Sequence, residues 1–129
     1  MGIPIKGKQL TATQAKWFRF EEEGNWLIGR FVRSEDTTWN CKRHIFVVLD
    51  SDPKVDDGNV VAVLGGKILD DIFKDRCNGD LIGLEFTGFK RSPTTRRKYK
   101  SFMVYEFTID DLVERYGKEK VEKILNKEV

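Results

Sequence analysis

Positive charge is concentrated in one stretch of the sequence, residues 90–100. Six of these eleven residues are basic and none is acidic. The basic residues are Lys90, Arg91, Arg96, Arg97, Lys98 and Lys100. Clustered Lys and Arg side chains gain affinity for a phosphate backbone by releasing its condensed counterions, whereas a solvated loop usually mixes the two signs of charge. The stretch therefore predicts phosphate contacts, with a solvated surface loop as the alternative.

Three aromatic residues are candidates for stacking on bases, which contributes about 1–3 kcal/mol per base. Trp39 lies in a polar segment, and Tyr99 lies between two lysines. Phe46 belongs to an apolar run and points outward if its immediate neighbours point inward, because side chains alternate along a strand. Alternatives remain open for two of these residues. Trp39 could instead pack over one end of the fold. Phe46 could instead be buried, either because the phase of the strand is the opposite one or because the N-terminal arm covers it.

Two further arginines complete the predicted nucleic-acid-binding set. Arg30 shares the outward phase of its strand if Leu27 and Phe31 face the interior, so that its guanidinium could reach a phosphate. Arg43 stands at the beginning of the apolar run that contains Phe46. A structural ion pair is an equally good explanation of Arg30.

Other reactive residues do not form a recognisable site. Cys41, His44 and Cys77 include ligand types for a metal, but they lack a fourth ligand and the paired spacing of a zinc site. The single histidine likewise has no identifiable nucleophile to activate. We therefore predict a protein that is not an enzyme and has no metal or cofactor.

Length and composition limit the fold to one domain. The chain has 129 residues, of which 40% are hydrophobic and 34% charged, and its net charge is only +2. It contains no long apolar run and no apolar stretch near Met1 that could act as a signal peptide. The expectation is a soluble protein of the cytoplasm, with no membrane association and with two reduced cysteines.

The pattern along the chain predicts mainly β structure. Strands are expected at residues 26–34, 43–50, 60–64, 80–89 and 99–107, from their β-branched and aromatic residues. Apolar spacing after Gly66 predicts a short helix between the third and fourth of these strands. A C-terminal helix, or two short ones divided at Gly117, is expected over 109–129.

Five strands with one helix between the third and the fourth form the element order of the OB-fold, a partly open barrel that binds oligonucleotides. An SH3-like barrel or a small β-sandwich could share the strands, but neither needs a helix at that position. The prediction is a five-stranded OB-fold barrel at 26–108. Residues 1–25 are expected to form an arm that packs on the barrel, and 109–129 a helical extension.

Short segments across residues 17–107 also resemble a known group of proteins. They are Glu22-Glu23-Gly24, Gly29-Arg30-Phe31, Gly66-Lys67-Ile68-Leu69-Asp70, Asn78-Gly79-Asp80, Glu85-Phe86-Thr87-Gly88 and Tyr99-Lys100-Ser101-Phe102-Met103-Val104. With these segments, the chain resembles the OB-fold single-stranded-DNA-binding proteins of phages and mobile elements. The resemblance implies binding of single strands without strong sequence preference, and the cytoplasm of a host cell as the location.

The predicted function is therefore non-catalytic binding of single-stranded DNA. Two alternatives remain. RNA is one, because stacking and phosphate contacts do not by themselves distinguish the two sugars. The other is a protein-interaction module, in which the apolar stripe of residues 109–129 docks on a protein partner or on a second copy of the chain.

Overall fold

A computed structural model describes residues 4–5 and 15–129 of the chain. The described residues form strands β1 (Lys16–Trp17), β2 (Trp26–Asp36), β3 (Lys42–Asp52) and β4 (Val60–Leu64), helix α1 (Lys67–Phe73), strands β5 (Leu81–Arg91) and β6 (Lys98–Phe107), and helices α2 (Ile109–Tyr116) and α3 (Lys118–Leu125). The mainly β prediction is confirmed. The helix between the third and fourth predicted strands is confirmed as α1, and the C-terminal region forms two short helices.

The six strands form one mixed sheet in the order β1-β4-β3-β2-β5-β6. The β1 strand runs parallel to β4, and every other pair of neighbours is antiparallel. The prediction of a five-stranded barrel is wrong in two respects, since the described sheet has a sixth strand and does not close. Instead of pairing with β6, β4 pairs with the N-terminal segment, where the Phe18 amide also donates to the Ala62 carbonyl at 2.9 Å.

An inner core fills one face of the curved sheet. Rings of Phe31, Phe46 and Phe73 pack together there, with centroids 5.2–5.6 Å apart. Phe73 comes from α1, so this helix closes one end of the core. Phe18 and Phe20 follow β1 and are buried in the same cluster. The N-terminal segment therefore contributes two large apolar side chains to the fold.

The opposite face of β3 carries a second core, covered by α2 and α3. Ile45 and Val47 pack there against Leu112, Val121 and Ile124 of the two helices. Both phases of β3 are thus buried, which explains its uninterrupted apolar run.

The outward orientation predicted for Phe46 is accordingly wrong. Its side chain is 0% exposed and lies in the inner core. A ring with no exposed surface cannot offer a face to a base.

Local sequence sets the ends of the covering helices. The Thr108 hydroxyl accepts from the Asp111 amide at 3.1 Å, and the Asp111 carboxylate accepts from the Thr108 amide at 3.0 Å. This reciprocal pair satisfies two amides that the first turn of α2 leaves without helical partners. Gly117, at φ 92°, then separates α2 from α3.

Arg30 fastens the end of α3 to the sheet. Its guanidinium donates to the Leu125 carbonyl at 2.7 Å and to the Lys127 carbonyl at 2.8 Å. The charge lies at the negative end of the helix, where a cation is favourable. Burial lowers the pKa of Arg30 from its usual value. The phosphate contact predicted for Arg30 is contradicted, because its side chain is buried and is committed to these carbonyls.

Candidate nucleic-acid interface

A groove of about 840 Å³ opens beside β4, on the side where the sheet does not close. One side is formed by β1, the other by β6 and the loop 92–97 that joins β6 to β5, and the beginning of α1 lies at the floor. Four basic side chains line the groove, and none of the described lining residues is acidic. The basic residues are Arg19, Lys67, Arg97 and Lys100. The surface therefore combines apolar area with an unbalanced positive charge.

Two tryptophans stand together on one side of the groove. Trp17 is 40% exposed and Trp39 is 60% exposed, and their ring centroids lie 6.2 Å apart at an interplanar angle of 57°. The Thr37 hydroxyl shapes the loop that carries Trp39, since it accepts from the Trp39 amide at 3.1 Å and donates to the Cys41 carbonyl at 2.6 Å. Trp39 thus packs beside Trp17 and retains a large exposed surface.

The other side of the groove carries three of the predicted residues, Arg97, Tyr99 and Lys100. The Lys100 ammonium donates to the Phe20 carbonyl at 2.8 Å and lies 5.7 Å from the centre of the Phe86 ring. It ties the N-terminal segment to the hairpin of β5 and β6. Arg97 and Tyr99 are exposed, so both are accessible to a ligand in the groove.

Four other basic residues of the predicted stretch are exposed on the same hairpin but do not line the groove. They are Lys90, Arg91, Arg96 and Lys98. Hydrogen bonds order the tip: the Arg96 amide donates to the Ser92 carbonyl at 2.8 Å, and the Ser92 amide donates to the Arg97 carbonyl at 3.0 Å. The stretch therefore presents its positive charge on a structured turn.

The beginning of α1 forms the floor of the groove. Lys67 and Ile68 are exposed there, next to Leu64 at the end of β4. The Asp70 carboxylate fixes this turn by accepting from the Lys42 amide at 3.0 Å. A side chain at Gly65 would place its Cβ 2.0 Å from Asp70 Oδ1. Glycine is therefore needed at this position, between the end of β4 and α1.

His44 supports the same turn from within the fold. Its Nε2 lies 2.8 Å from Asp70 Oδ1 and its Nδ1 lies 2.7 Å from Ser34 Oγ. Because a carboxylate only accepts, Nε2 carries the proton and Nδ1 accepts from the Ser34 hydroxyl. Burial lowers the pKa of His44, and the opposing effect of Asp70 does not offset it.

The arrangement of Ser34, His44 and Asp70 resembles a hydrolase triad only in the order of its hydrogen bonds. The His44 side chain is 0% exposed, and Ser34 is not among the residues that line the groove. We therefore assign the three residues to positioning α1. Within residues 4–5 and 15–129, no group of three or more His, Cys, Asp or Glu residues is placed to hold a metal.

Arg43 lies outside the groove in an ion cluster. Its Nε donates to Glu35 at 2.7 Å, and Arg33 donates to the same carboxylate at 2.8 Å. Burial alone would raise the pKa of Glu35, but the hydrogen bonds and charges of the two arginines outweigh burial and lower it. The nucleic-acid contact predicted for Arg43 is not supported, since this arginine is paired with Glu35 between β2 and β3.

The groove thus unites four of the predicted residues, namely Trp39, Arg97, Tyr99 and Lys100. It also contains residues that were not predicted from the sequence: Trp17, Arg19, Leu64, Lys67 and Ile68. A signal for Trp17 was present, because it precedes two buried phenylalanines in a segment otherwise rich in polar residues. The pairing of β1 with β4, which brings Trp17 to Trp39, has no local sequence signature.

No protein-family model, curated protein or solved structure matches this chain. Among the helices of the described residues, none has the length and apolar character needed to cross a membrane.

Proposed function

We propose that this chain binds single-stranded nucleic acid in the groove, DNA in preference to RNA, without catalysis and with little sequence preference. Bases stack on Trp39, Trp17 and Tyr99, and the phosphates face the basic side chains of the groove and of the hairpin. The preference for DNA rests on the sequence resemblance described above.

The observation that carries this proposal is the composition of the groove wall. Exposed aromatic rings and four cations line one continuous surface, and the described lining residues include no carboxylate. Aromatic platforms with a positive backbone track are the means by which proteins hold single strands regardless of sequence. In a duplex the base faces are already stacked on one another, so this surface favours an unpaired strand.

The arrangement of elements supports an OB-fold, opened at one edge, as part of the same proposal. Strands β2 to β6 with α1 follow the OB-fold order. The two loops beside the groove, 37–41 and 92–97, correspond to those between its first and second and between its fourth and fifth strands. Those are the loops that OB-folds use to bind oligonucleotides. Helices α2 and α3 cover the outer face of β3, so we place the ligand at the open edge.

The alternative function, docking on a protein partner, rested on an exposed apolar stripe in residues 109–129, and this stripe is not exposed. Leu112, Val121 and Ile124 are buried against the sheet, so the apolar stripe of the C-terminal helices is already covered within the chain. The other alternative, binding of RNA, is tested by including an RNA oligonucleotide in the experiment below.

The experiment is a fluorescence-anisotropy titration with labelled oligo-dT, the matching duplex and oligo-U at several salt concentrations. Arg97→Gln removes a cation from the groove, and Lys120→Gln removes an exposed cation of α3 as the control. The proposal expects the tightest binding to oligo-dT. Each phosphate contact to a single strand contributes about 0.7 to the slope of log affinity against log salt. Arg97→Gln should reduce the slope by about this amount.

Absence of oligo-dT binding at low salt would refute the proposal. Equal or tighter binding to the duplex would refute the single-strand assignment, and tighter binding to oligo-U would transfer it to RNA. If the salt slope were unchanged in Arg97→Gln, or if Lys120→Gln reduced the slope by the same amount, the groove would not be the binding site.

A further inference from the structure

The hairpin of β5 and β6 extends beyond the residues that line the groove. Phe89 lies opposite Lys100, and Arg91 lies opposite Lys98. Residues directly opposite one another on antiparallel strands share a face, as do alternate residues along one strand. One face of the hairpin therefore carries an aromatic ring with three cations around it.

A β-bulge turns Phe89 toward this face. The register of β5 against β6 shifts between Phe86 and Gly88, and Gly88 has a φ of 102°. In a regular strand Phe86 and Phe89, three positions apart, would point to opposite faces. The extra residue places them on the same one, where their rings meet edge to face with centroids 5.4 Å apart.

Phe89 is held in place but not covered. Its side chain is 58% exposed, while the Phe86 ring beneath it is buried. Its edge-to-face contact with Phe86 packs one side of the ring. No acidic residue occurs from Gly88 to Ser101. The Glu23 carboxylate lies beside Gly88, 3.5 Å from where a Cβ would stand, and its single negative charge offsets only part of the positive charge of Arg91, Lys98 and Lys100.

We propose that Phe89 is a second base-stacking platform and that Arg91 and Lys98 hold the phosphates beside it. A bound strand then runs from the groove, past Lys100, onto this face of the hairpin. The inference rests on the proposed function and extends it, because it predicts a site longer than the groove. Lys100 connects the two parts, since it lines the groove and lies opposite Phe89.

The test separates stacking from simple packing with two substitutions. Phe89→Leu keeps apolar bulk against Phe86 but has no aromatic face, and Phe89→Trp keeps the face. Each variant is titrated with oligo-dT of about 4 and about 16 nucleotides, the range of site sizes for one domain of this kind. Phe89→Leu should bind the longer oligonucleotide about tenfold more weakly and the shorter one normally. Phe89→Trp should bind both oligonucleotides with wild-type affinity. The dependence of affinity on salt should match the wild type in both variants, because neither substitution removes a charge.

The outcomes distinguish this inference from the function on which it rests. If the wild type binds and Arg97→Gln weakens binding, but Phe89→Leu binds the longer oligonucleotide like the wild type, the second platform is refuted and the groove stands. Equal weakening of both oligonucleotides in Phe89→Leu would place Phe89 in the groove site and would also refute the longer path. If the wild type does not bind at all, both proposals fall.

Discussion

The outer face of β3 and the open groove beside β4 both present large apolar side chains with an arginine nearby, yet helices cover the first and leave the second open. On the outer face of β3, apolar side chains meet α2 and α3, and Arg30 of the neighbouring strand β2 donates to carbonyls at the end of α3 and just beyond it. In the groove, Trp17 and Trp39 remain exposed, and Arg97 is accessible. Residue type alone therefore does not assign a role here. The surface that the chain covers contributes to stability, and the surface that it leaves open is accessible to a ligand.

The largest effect should come from Phe46, the buried ring that the predicted phase of its strand assigned to base stacking. Phe46→Ala leaves a cavity among Phe31 and Phe73, and such truncations cost about 3–5 kcal/mol of unfolding free energy. Urea unfolding followed by circular dichroism measures the loss. The matched substitution in the groove is Trp39→Ala.

Trp39→Ala should change the unfolding free energy by less than about 1 kcal/mol, because most of its side chain is already in solvent. It should weaken oligo-dT binding by about 1–3 kcal/mol. If Phe46→Ala were as stable as the wild type, or if Trp39→Ala unfolded the protein and spared binding, the division between a covered and an open surface would be wrong.

An intermediate effect is expected at the arginine that fastens the cover. Arg30→Met removes two charge-assisted hydrogen bonds to the end of α3, each worth about 1.5–3 kcal/mol, although the retained apolar stem reduces the net loss. Hydrogen exchange should show faster opening at Val121 and Ile124. Arg97→Met, at an exposed position, should leave exchange in α3 unchanged. Equal protection of α3 in both variants would show that Arg30 is dispensable for holding the cover.

The smallest effect is a pH dependence at the support of the groove floor. The pKa of His44 is lowered in the folded chain, so the unfolded chain takes up the proton first as the pH falls. The stability that neutral His44 provides is therefore complete above about pH 6.5 and declines below it, by at most about 1.4 kcal/mol per pH unit. Urea unfolding between about pH 7.5 and pH 5.5 measures the slope.

His44→Gln serves as the control, because His44 is the only histidine of the chain. The variant should be less stable at neutral pH, but its stability should no longer depend on pH in this window. A slope that persists in His44→Gln would assign the titration to another group.

The positions of strands β2 to β6 and of helix α1 could be predicted from the sequence because their signals are local, whereas β1 was not predicted. Turn residues, β-branched runs and the spacing of Leu69 and Phe73 mark the elements without any knowledge of their partners. The sequence could not show which side chains of β3 face the inner core. Both faces of this strand are buried, so apolar and polar residues do not alternate along it.

The groove was predictable only in part, because it depends on contacts between distant segments. The loop residues Trp39 and Arg97 are conspicuous from their polar or basic surroundings. Trp17 and Lys67 become part of the site only through the pairing of β1 with β4 and the position of α1. The role of Arg30 likewise depends on carbonyls about 95 residues away, which no local pattern can reveal.

The open sheet also has a consequence for the behaviour of the protein at high concentration. In the part of the chain that the structure describes, β6 pairs on one side only, with β5. An unpaired strand edge can template aggregation, and lysines along such an edge are a common protection against it. Lys98 and Lys100 place two positive charges on this strand, so copies of the protein repel one another there. Variants that neutralise both lysines should therefore aggregate more readily, and their solubility must be checked before a loss of binding is attributed to the missing charges.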